Sequence, residues 1–389
     1  MRSEYPLSAR PAVRALAASK IRELYNEGIG RPEVLPFWVG EPDEATPEFI
    51  RKAASDSIAA GEVFYTHNLG IPELRQALAD YLSTLHAKIE MERVAVTSSG
   101  VNALMLASQL LVDPGDRVVA VVPLWPNLQE IPKILGAQVR TVPLQFSPGG
   151  WKLDLQRLLD ALEPGTRALY LNSPNNPTGW VIGQDELRAV LEHCRRHGIW
   201  IFADDAYERL YYGAGASAPS VLGLMHEDDR VLSANTFSKS WLMTGWRLGW
   251  LVVPPSLVAD LGKLIEYNTS CAPVFVQRAG IAALEGGEPV IARTVQRFRL
   301  ARDFLLQELS QVSRVQAALP DGAMYAFLRI EGMRDSLEFC KRLVREQQLG
   351  LAPGAAFGPH GEGYVRWCYA ASQERLAEGV ARLRRALAR

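Results

Sequence analysis

Lysine is scarce in this chain: of 42 lysines and arginines in 389 residues, eight are lysine and 34 arginine. If the chemistry needs an amine, there are few candidates. Net charge is also missing, at −1 from 42 basic and 43 acidic residues, which removes the basic field that nucleic-acid binding demands. The four cysteines, Cys194, Cys271, Cys340 and Cys368, are dispersed without a CxxC pair. Neither a zinc site nor a disulfide framework is expected, and a reducing cytoplasm fits best. The longest clean apolar run, Val118 to Trp125, is far short of the ~20 residues that span a bilayer. The first residues, MRSEYPLSARPAVRALAAS, lack the apolar stretch of a secretory signal, and no membrane association is expected. No GxxxxGK[ST] or GxSxG occurs, which excludes the standard P-loop and serine-hydrolase routes. Gly213-Ala-Gly215-Ala-Ser-Ala is a loose dinucleotide fingerprint, but no clean strand precedes it and Pro219 stops a helix from opening. His193 and His197 have the i, i+4 spacing of a metal pair without HExxH, and read as a solvated helix face. No metal is expected.

What is present is an ordinary globular composition, 48% hydrophobic and 22% charged, with length enough for two or three domains. From about residue 90 to 265, short β-branched runs alternate with amphipathic stretches. The expected strands are Val94–Thr97, Arg117–Val122, Gln138–Val142, Ala168–Leu171, Ile199–Ala203, Val231–Ala234 and Leu248–Val253. Helical patterns such as Gly100–Leu111, Asp154–Leu162 and Asp185–His197 lie between them. This alternation predicts an α/β fold: a mostly parallel seven-stranded sheet with helices on both faces. Residues 11–28 and 47–86 read as helices on either side of the Gly/Pro-punctuated Gly40-Glu-Pro-Asp segment. Beyond Pro273 come a long helical region, strands at Ala323–Ile330 and Gly363–Tyr369, a helix at Asp335–Gln348 and a final helix from about Ser372. The C-terminal third therefore reads as a smaller α+β domain joined by the N-terminal segment. The expected division is 1–46, an N-terminal arm and part of the small domain; 47–285, the large domain; and 286–389, the small domain.

In parallel sheets, ligands collect beyond the carboxyl ends of the strands. Arg230-Val-Leu-Ser-Ala-Asn-Thr236-Phe-Ser238-Lys239 is a strand that ends among hydroxyls at a lysine, with Arg247 eight residues on. An amine beside a fixed cation suits a cofactor carrying an aldehyde and a phosphate; a surface loop lysine is the other reading. Ser173-Pro-Asn-Asn176-Pro177-Thr-Gly179 forms a tight turn after another strand. Gly198-Ile-Trp-Ile-Phe-Ala-Asp204-Asp205-Ala-Tyr207 runs an apolar strand into two carboxylates. A buried carboxylate needs a cationic partner, and a protonated ring nitrogen would serve.

Together these segments resemble the class I aminotransferase family of fold-type I pyridoxal-phosphate enzymes. The resemblance rests on Asn-Pro-Thr-Gly, Asp-x-Ala-Tyr, Ser-Lys and Gly-Trp-Arg-x-Gly in that order, and extends from Gly40-Glu-Pro-Asp to Tyr364-Val-Arg366-Trp. It implies pyridoxal 5′-phosphate as cofactor. Lys239 would carry it as a Schiff base and later move the Cα proton. Asp204 would keep the ring nitrogen protonated, and Tyr207 and Asn176 would hydrogen-bond the ring oxygen. Ser238, Arg247, Thr236 and the Ser99–Gly100–Val101 turn would hold the phosphate, the turn through a helix N-terminus. Arg366 would clamp the substrate carboxylate through two N–H bonds, with Gly40 and Asn176 beside it. Trp125 would stack on the ring. Tyr65 would reach a neighbouring subunit's phosphate, so an obligatory homodimer with shared sites is implied. The family tends to place cis peptides at Val122–Pro123 and Asn176–Pro177, and at least the second is expected to be cis.

The implied reaction passes an amino group from an L-amino acid to a 2-oxo acid through pyridoxamine phosphate. Two departures bear on substrate. Val101 stands where aspartate-specific relatives often have lysine, and Thr269-Ser-Cys-Ala-Pro-Val-Phe diverges from the usual Asn-Pro-rich turn. That segment is expected to help form the side-chain pocket, and neutral, aliphatic or aromatic donors are favoured over acidic ones. Carbon–sulfur β-elimination or a cyclising synthesis would use the same Lys239, Asp204 and Arg366. A cofactor-binding regulatory module is disfavoured by the presence of the lysine.

Overall fold

The computed structural model describes residues 8–147 and 149–388; residues 1–7 of the expected N-terminal arm lie outside the described residues. Seven strands form the main sheet: β1 (Val94–Thr97), β2 (Arg117–Val122), β3 (Gln138–Pro143), β4 (Thr166–Asn172), β5 (Trp200–Asp204), β6 (Val231–Thr236) and β7 (Gly249–Val252). Their order is β1-β7-β6-β5-β4-β2-β3. Pairs from β6 through β3 are parallel, whereas β7 runs antiparallel to both of its neighbours.

The central strands β2, β4 and β5 are largely apolar because both faces are covered, whereas the edge strand β3 exposes Gln138 and Arg140. Val119 and Val121 of β2 enter one core, while Val118, Ala120 and Val122 enter the other; Leu169 and Leu171 oppose Ala168 and Tyr170 in the same way. This is the period-two alternation of a strand buried on both sides. The helix Gln184–His197 shows why the connections sit where they do. It has Asp185 and Glu186 in its first turn, Arg195, Arg196 and His197 in its last, and Gly198 in the left-handed conformation beyond (φ 68°). The charges complement the helix dipole, and the glycine ends the helix so that β5 can begin.

The smaller unit is a four-stranded antiparallel sheet of β8 (Val315–Ala317), β9 (Tyr325–Ile330), β10 (Ala352–Pro353) and β11 (Tyr364–Cys368), in the order β8-β9-β11-β10. Leu35–Pro36 pairs in parallel with Leu349–Gly350, and the helix Lys20–Gly28 reaches the same unit through Glu27–Arg345 and Glu23–Lys341 ion pairs. These links tie residues 20–36 to the C-terminal unit.

Two expected helices are broken. Residues 11–28 form Pro11–Arg14 and Lys20–Gly28, the second capped by the Ser19 side chain. Residues 47–86 form Glu48–Ala59 and Pro72–Leu85. Between the latter pair, Gly61 (φ 79°) and Gly70 (φ 100°) take backbone conformations that a helix cannot contain.

At one point the sheet tolerates no side chain. Gly249 lies opposite both Thr97 and Thr236, and a Cβ there would lie 2.6 Å from Gly100 N and 2.7 Å from Asn235 O. Both are backbone atoms that cannot swing aside. Gly249→Ala is expected to lower stability by about 1–3 kcal/mol. Gly245→Ala, with nothing within 4 Å of the added atom, should change it by no more than ~0.5 kcal/mol. Equal urea midpoints for the two variants would overturn this reading of the packing.

Candidate active site

The carboxyl ends of β1, β4, β5 and β6 face one cavity of about 450 Å³. The order of strands explains why. The chain leaves β2 toward β3 and leaves β4 toward β5, so the loops that follow these two neighbouring strands diverge and open a crevice. Because β7 runs antiparallel, its start lies at the same edge and delivers Arg247 there.

Asp204 ends β5 and is 5% exposed. Its Oδ1 accepts the Ala206 N–H at 3.2 Å, and among the described residues no cation forms an ion pair with it. Burial raises its pKa to about 7 against the smaller opposing effects of that hydrogen bond and of Lys239. Asn172, its register partner on β4, donates to the Asp204 carbonyl at 3.0 Å and accepts the Asn176 N–H at 2.8 Å. One buried amide thus ties the acid to the turn that presents Asn176. Asn175 closes that turn by accepting from Thr178 N and Oγ1 at 3.1 and 2.7 Å.

On the opposite side lies a cup suited to an anion. The helix Gly100–Leu111 opens onto the cavity at Gly100 and Val101, capped by the Ser99 hydroxyl. Thr236 and Ser238 join it, their hydroxyls 2.8 Å apart. Arg247, with φ 54°, donates to the Thr244 carbonyl at 2.7 Å and pairs with no carboxylate among the described residues. Backbone N–H groups at a helix start, two hydroxyls and a cation without a carboxylate partner among the described residues are groups that could hold an anion such as phosphate.

Arg366 stands in the middle of β11, 2% exposed, opposite Phe327 and Ala352. Its Nη1 donates to Asn176 Oδ1 at 2.9 Å and its Nη2 to the Trp38 carbonyl, while its buried Nε has no partner. The guanidinium lies 4.5 Å from the Tyr325 ring centre and 5.0 Å from that of Phe357. No carboxylate among the described residues forms an ion pair with it. Tyr325 and Tyr207 share a hydroxyl contact of 2.9 Å, and Asn176 Nδ2 donates to Tyr207 at 3.4 Å. Burial and this neighbour push the Tyr207 phenol well above its usual range. Lys239 Nζ donates to the Gly40 carbonyl at 2.6 Å, and burial lowers its pKa to about 8. A Cβ on Gly40 would collide with Tyr325 Oη, 1.9 Å away.

The structure therefore brings Gly40, Gly100, Val101, Trp125, Asn176, Asp204, Tyr207, Thr236, Ser238, Lys239, Arg247 and Arg366 to the lining of one cavity. Three of the singled-out groups lie outside this chain's cavity lining, Tyr65 among them as a residue expected to serve a neighbouring subunit. The Ser99 hydroxyl accepts the Asn102 N–H at 3.0 Å, so it caps the helix instead of lining the cavity. Tyr65 is 89% exposed and away from this chain's cavity. The 269–275 segment is also off the wall: Cys271 Sγ accepts the Thr66 N–H at 3.5 Å and Phe275 faces a different hollow. Asn172 and Tyr325 were not anticipated. An asparagine closing a strand level with Asp204 was the available signal for the first; none marked the second. Both expected prolines are cis, as is Ser173–Pro174. His193 bonds the Leu162 carbonyl at 2.9 Å, and the described residues contain no metal-binding cluster. None of their helices is long and apolar enough to cross a membrane.

A family model described as "Aminotransferase class I and II" matches residues 32–383. Aspartate aminotransferase of Pyrococcus horikoshii is 33% identical over 379 residues, covering 96% of each chain. Aromatic-amino-acid aminotransferase 2 of Thermococcus litoralis is 30% identical, covering 95% of each. Among solved structures, Thermus thermophilus aspartate aminotransferase with maleate is similar at TM-score 0.90 and 29% identity, covering 97% of this chain and 99% of that one. Aromatic aminotransferase of Pyrococcus horikoshii is similar at TM-score 0.86 and 28% identity, covering 94% and 98%.

The raised pKa of Asp204 has a consequence for stability. Its folded value, about 7, lies above the ordinary 3.8. The folded state therefore holds the proton more tightly, and stability falls as pH rises through that window. Asp204→Asn should raise the melting temperature of the ligand-free protein at pH 8 and leave it nearly unchanged at pH 4. Equal increments at both pH values would contradict the assignment.

Proposed function

The chain belongs to the class I and II aminotransferase family, and on that premise we propose that it moves an amino group from a neutral, aliphatic or aromatic L-amino acid to a 2-oxo acid, using pyridoxal 5′-phosphate. The observation that carries the reading is a pair of buried, unpaired charges in one cavity. Asp204 lacks a cation and Arg366 a carboxylate, with a lysine of lowered pKa on the same wall. These residues fit the cofactor, which supplies an aldehyde that condenses with amines and a ring that takes up the electron pair left at Cα.

Asp204 would pair with the protonated ring nitrogen. Asn176 and Tyr207 would donate to the ring oxygen, and Trp125 would cover the ring. Thr236, Ser238, Arg247 and the backbone at Gly100 and Val101 would hold the phosphate. The Ser99 cap keeps that helix start in place. Arg366 would grip the substrate carboxylate through two parallel N–H bonds, a geometry for which its unpartnered Nε is available. Gly40 borders that position. Lys239, once released from the aldehyde, would move the proton at Cα, and a pKa near 8 leaves an appreciable unprotonated fraction near neutrality. Tyr65, exposed in this chain, would serve the cavity of a second copy in a homodimer.

The neutral-donor preference is supported by the apolar wall that Ile21, Tyr25, Val39, Val101 and Leu104 contribute. A second reading is favoured by Arg22. It lies on the same wall above the Tyr25 ring and pairs with no carboxylate among the described residues, so it suits a substrate with a second carboxylate.

Single amino acids added to the cofactor-loaded protein should bleach its visible absorbance and release 2-oxo acid, and a second 2-oxo acid should restore it. Lys239→Ala is expected to retain cofactor but lose multiple turnover. Arg366→Lys should raise KM for the amino acid by about 30-fold or more. Pyruvate, ammonia and a thiol from a cysteine conjugate would indicate a lyase instead. An aspartate preference far above every neutral donor would replace the first substrate reading with the second.

A further inference from the structure

Behind the phosphate cup lies a buried cluster of acids that the proposed reaction leaves unused. Asp205 is 4% exposed and accepts from Ser233 Oγ at 2.6 Å and Ser220 Oγ at 3.3 Å. Glu208, one turn on, accepts from Asn235 Nδ2 at 2.7 Å through Oε1, and its Oε2 lies 3.0 Å from His86 Nε2. Both side chains of that His–Glu pair are 3% exposed. Asn235 Oδ1 then accepts the Thr236 N–H at 2.7 Å, and Thr236 Oγ1 bonds Ser238 Oγ. Hydrogen bonds thus link His86 through Glu208 and Asn235 to the backbone N–H of Thr236, the residue that contributes a hydroxyl to the cup.

His86 ends the helix Pro72–Leu85 and lines a second cavity of about 780 Å³. The charged and titratable groups that face it are Glu208 and Asp205 behind, with Arg302, Asp321, Tyr211 and Tyr212 around the second cavity. Arg302 is already engaged by Asp303 and the Pro320 carbonyl. Burial alone would lower the imidazole pKa, but the hydrogen bond to Glu208 and the charges of Glu208 and Asp205 outweigh it, leaving the pKa raised. Burial, reinforced by Glu208, likewise raises Asp205. A buried charge without a partner costs several kcal/mol, and the 3.0 Å contact with Glu208 gives the buried His86 imidazolium its partner.

We propose that His86 and Glu208 are positioning residues for the phosphate end of the cavity. Glu208 orients the Asn235 amide, which fixes Thr236, and the imidazolium offsets negative charge that would otherwise lie behind a bound phosphate. The inference rests on the cofactor reading above, but it concerns binding and not turnover. Because the folded pKa of His86 is raised, the contribution is full below about pH 6.5 and is lost as pH climbs through the folded value.

The test is equilibrium dialysis of pyridoxal phosphate, and of pyridoxal without the phosphate, against the wild-type protein and His86→Gln, which keeps a hydrogen-bond donor but no charge. Comparison at each pH cancels titrations shared by both proteins. The substitution should weaken pyridoxal phosphate about tenfold near pH 6 and less than twofold near pH 9, leaving pyridoxal unchanged at both. In a Glu208→Gln background, where nothing holds the imidazole charged, it should have no effect at either pH. Equal weakening at both pH values, equal weakening of pyridoxal, or no weakening would each overturn the proposal while the cofactor reading stands. Failure of the wild-type protein to bind pyridoxal phosphate at either pH would overturn both.

Discussion

A carboxylate and a guanidinium, each buried and each without a counter-ion, are held in one cavity by a scaffold that prevents them from meeting. Asp204 is fixed at the end of a central parallel strand, Arg366 in the middle of an antiparallel strand of the other sheet. Asn176 stands at the junction, its carbonyl oxygen engaged by the guanidinium and its amide by Tyr207. Burial without a counter-ion is costly for either charge. The surrounding packing has to be stable enough to carry that cost, and ligands that bring a cation to Asp204 and a carboxylate to Arg366 would relieve it.

The topology does much of the positioning. Reversal of strand order beside β4 opens the crevice, and the single antiparallel strand β7 returns Arg247 to the edge where β6 has just delivered Thr236 and Ser238. The close approach of Gly249 to the backbone at Ser99 and Gly100 presses the helix start against these hydroxyls. Anion-binding groups from three separate stretches are thereby assembled by backbone packing, with little left to side-chain freedom.

Much of this was legible in the sequence, for reasons that differ by residue. Strands buried on both faces read as short apolar runs, so all seven strands of the main sheet were expected within a few residues of their ends. Asp204 was conspicuous because a carboxylate interrupts such a run, and Lys239 because lysine is rare. What escaped depends on register and long-range contact. Asn172 looks like any polar strand terminus until it is seen level with Asp204. Tyr325 meets Tyr207 across 118 residues, and nothing local announces it. Ser99 was expected in the cup, but the pull of the Asn102 N–H makes it a cap. The break between Glu48–Ala59 and Pro72–Leu85 was hidden because the flanking stretches share helical patterning, while two left-handed glycines and the exposed Tyr65 lie between them.

The bond from Lys239 to the Gly40 carbonyl joins positions 199 residues apart, and that from Arg366 to Asn176 spans 190. Contacts so distant along the chain close late, since loop-closure entropy is lost before they can repay it. The main sheet can gain order before the reactive centre exists. A ligand needing both the amine and the guanidinium binds only the fully assembled chain, and by mass action it favours that state. Assembly and loading are thereby coupled: a ligand held by both groups stabilises the packing that joins the two sheets.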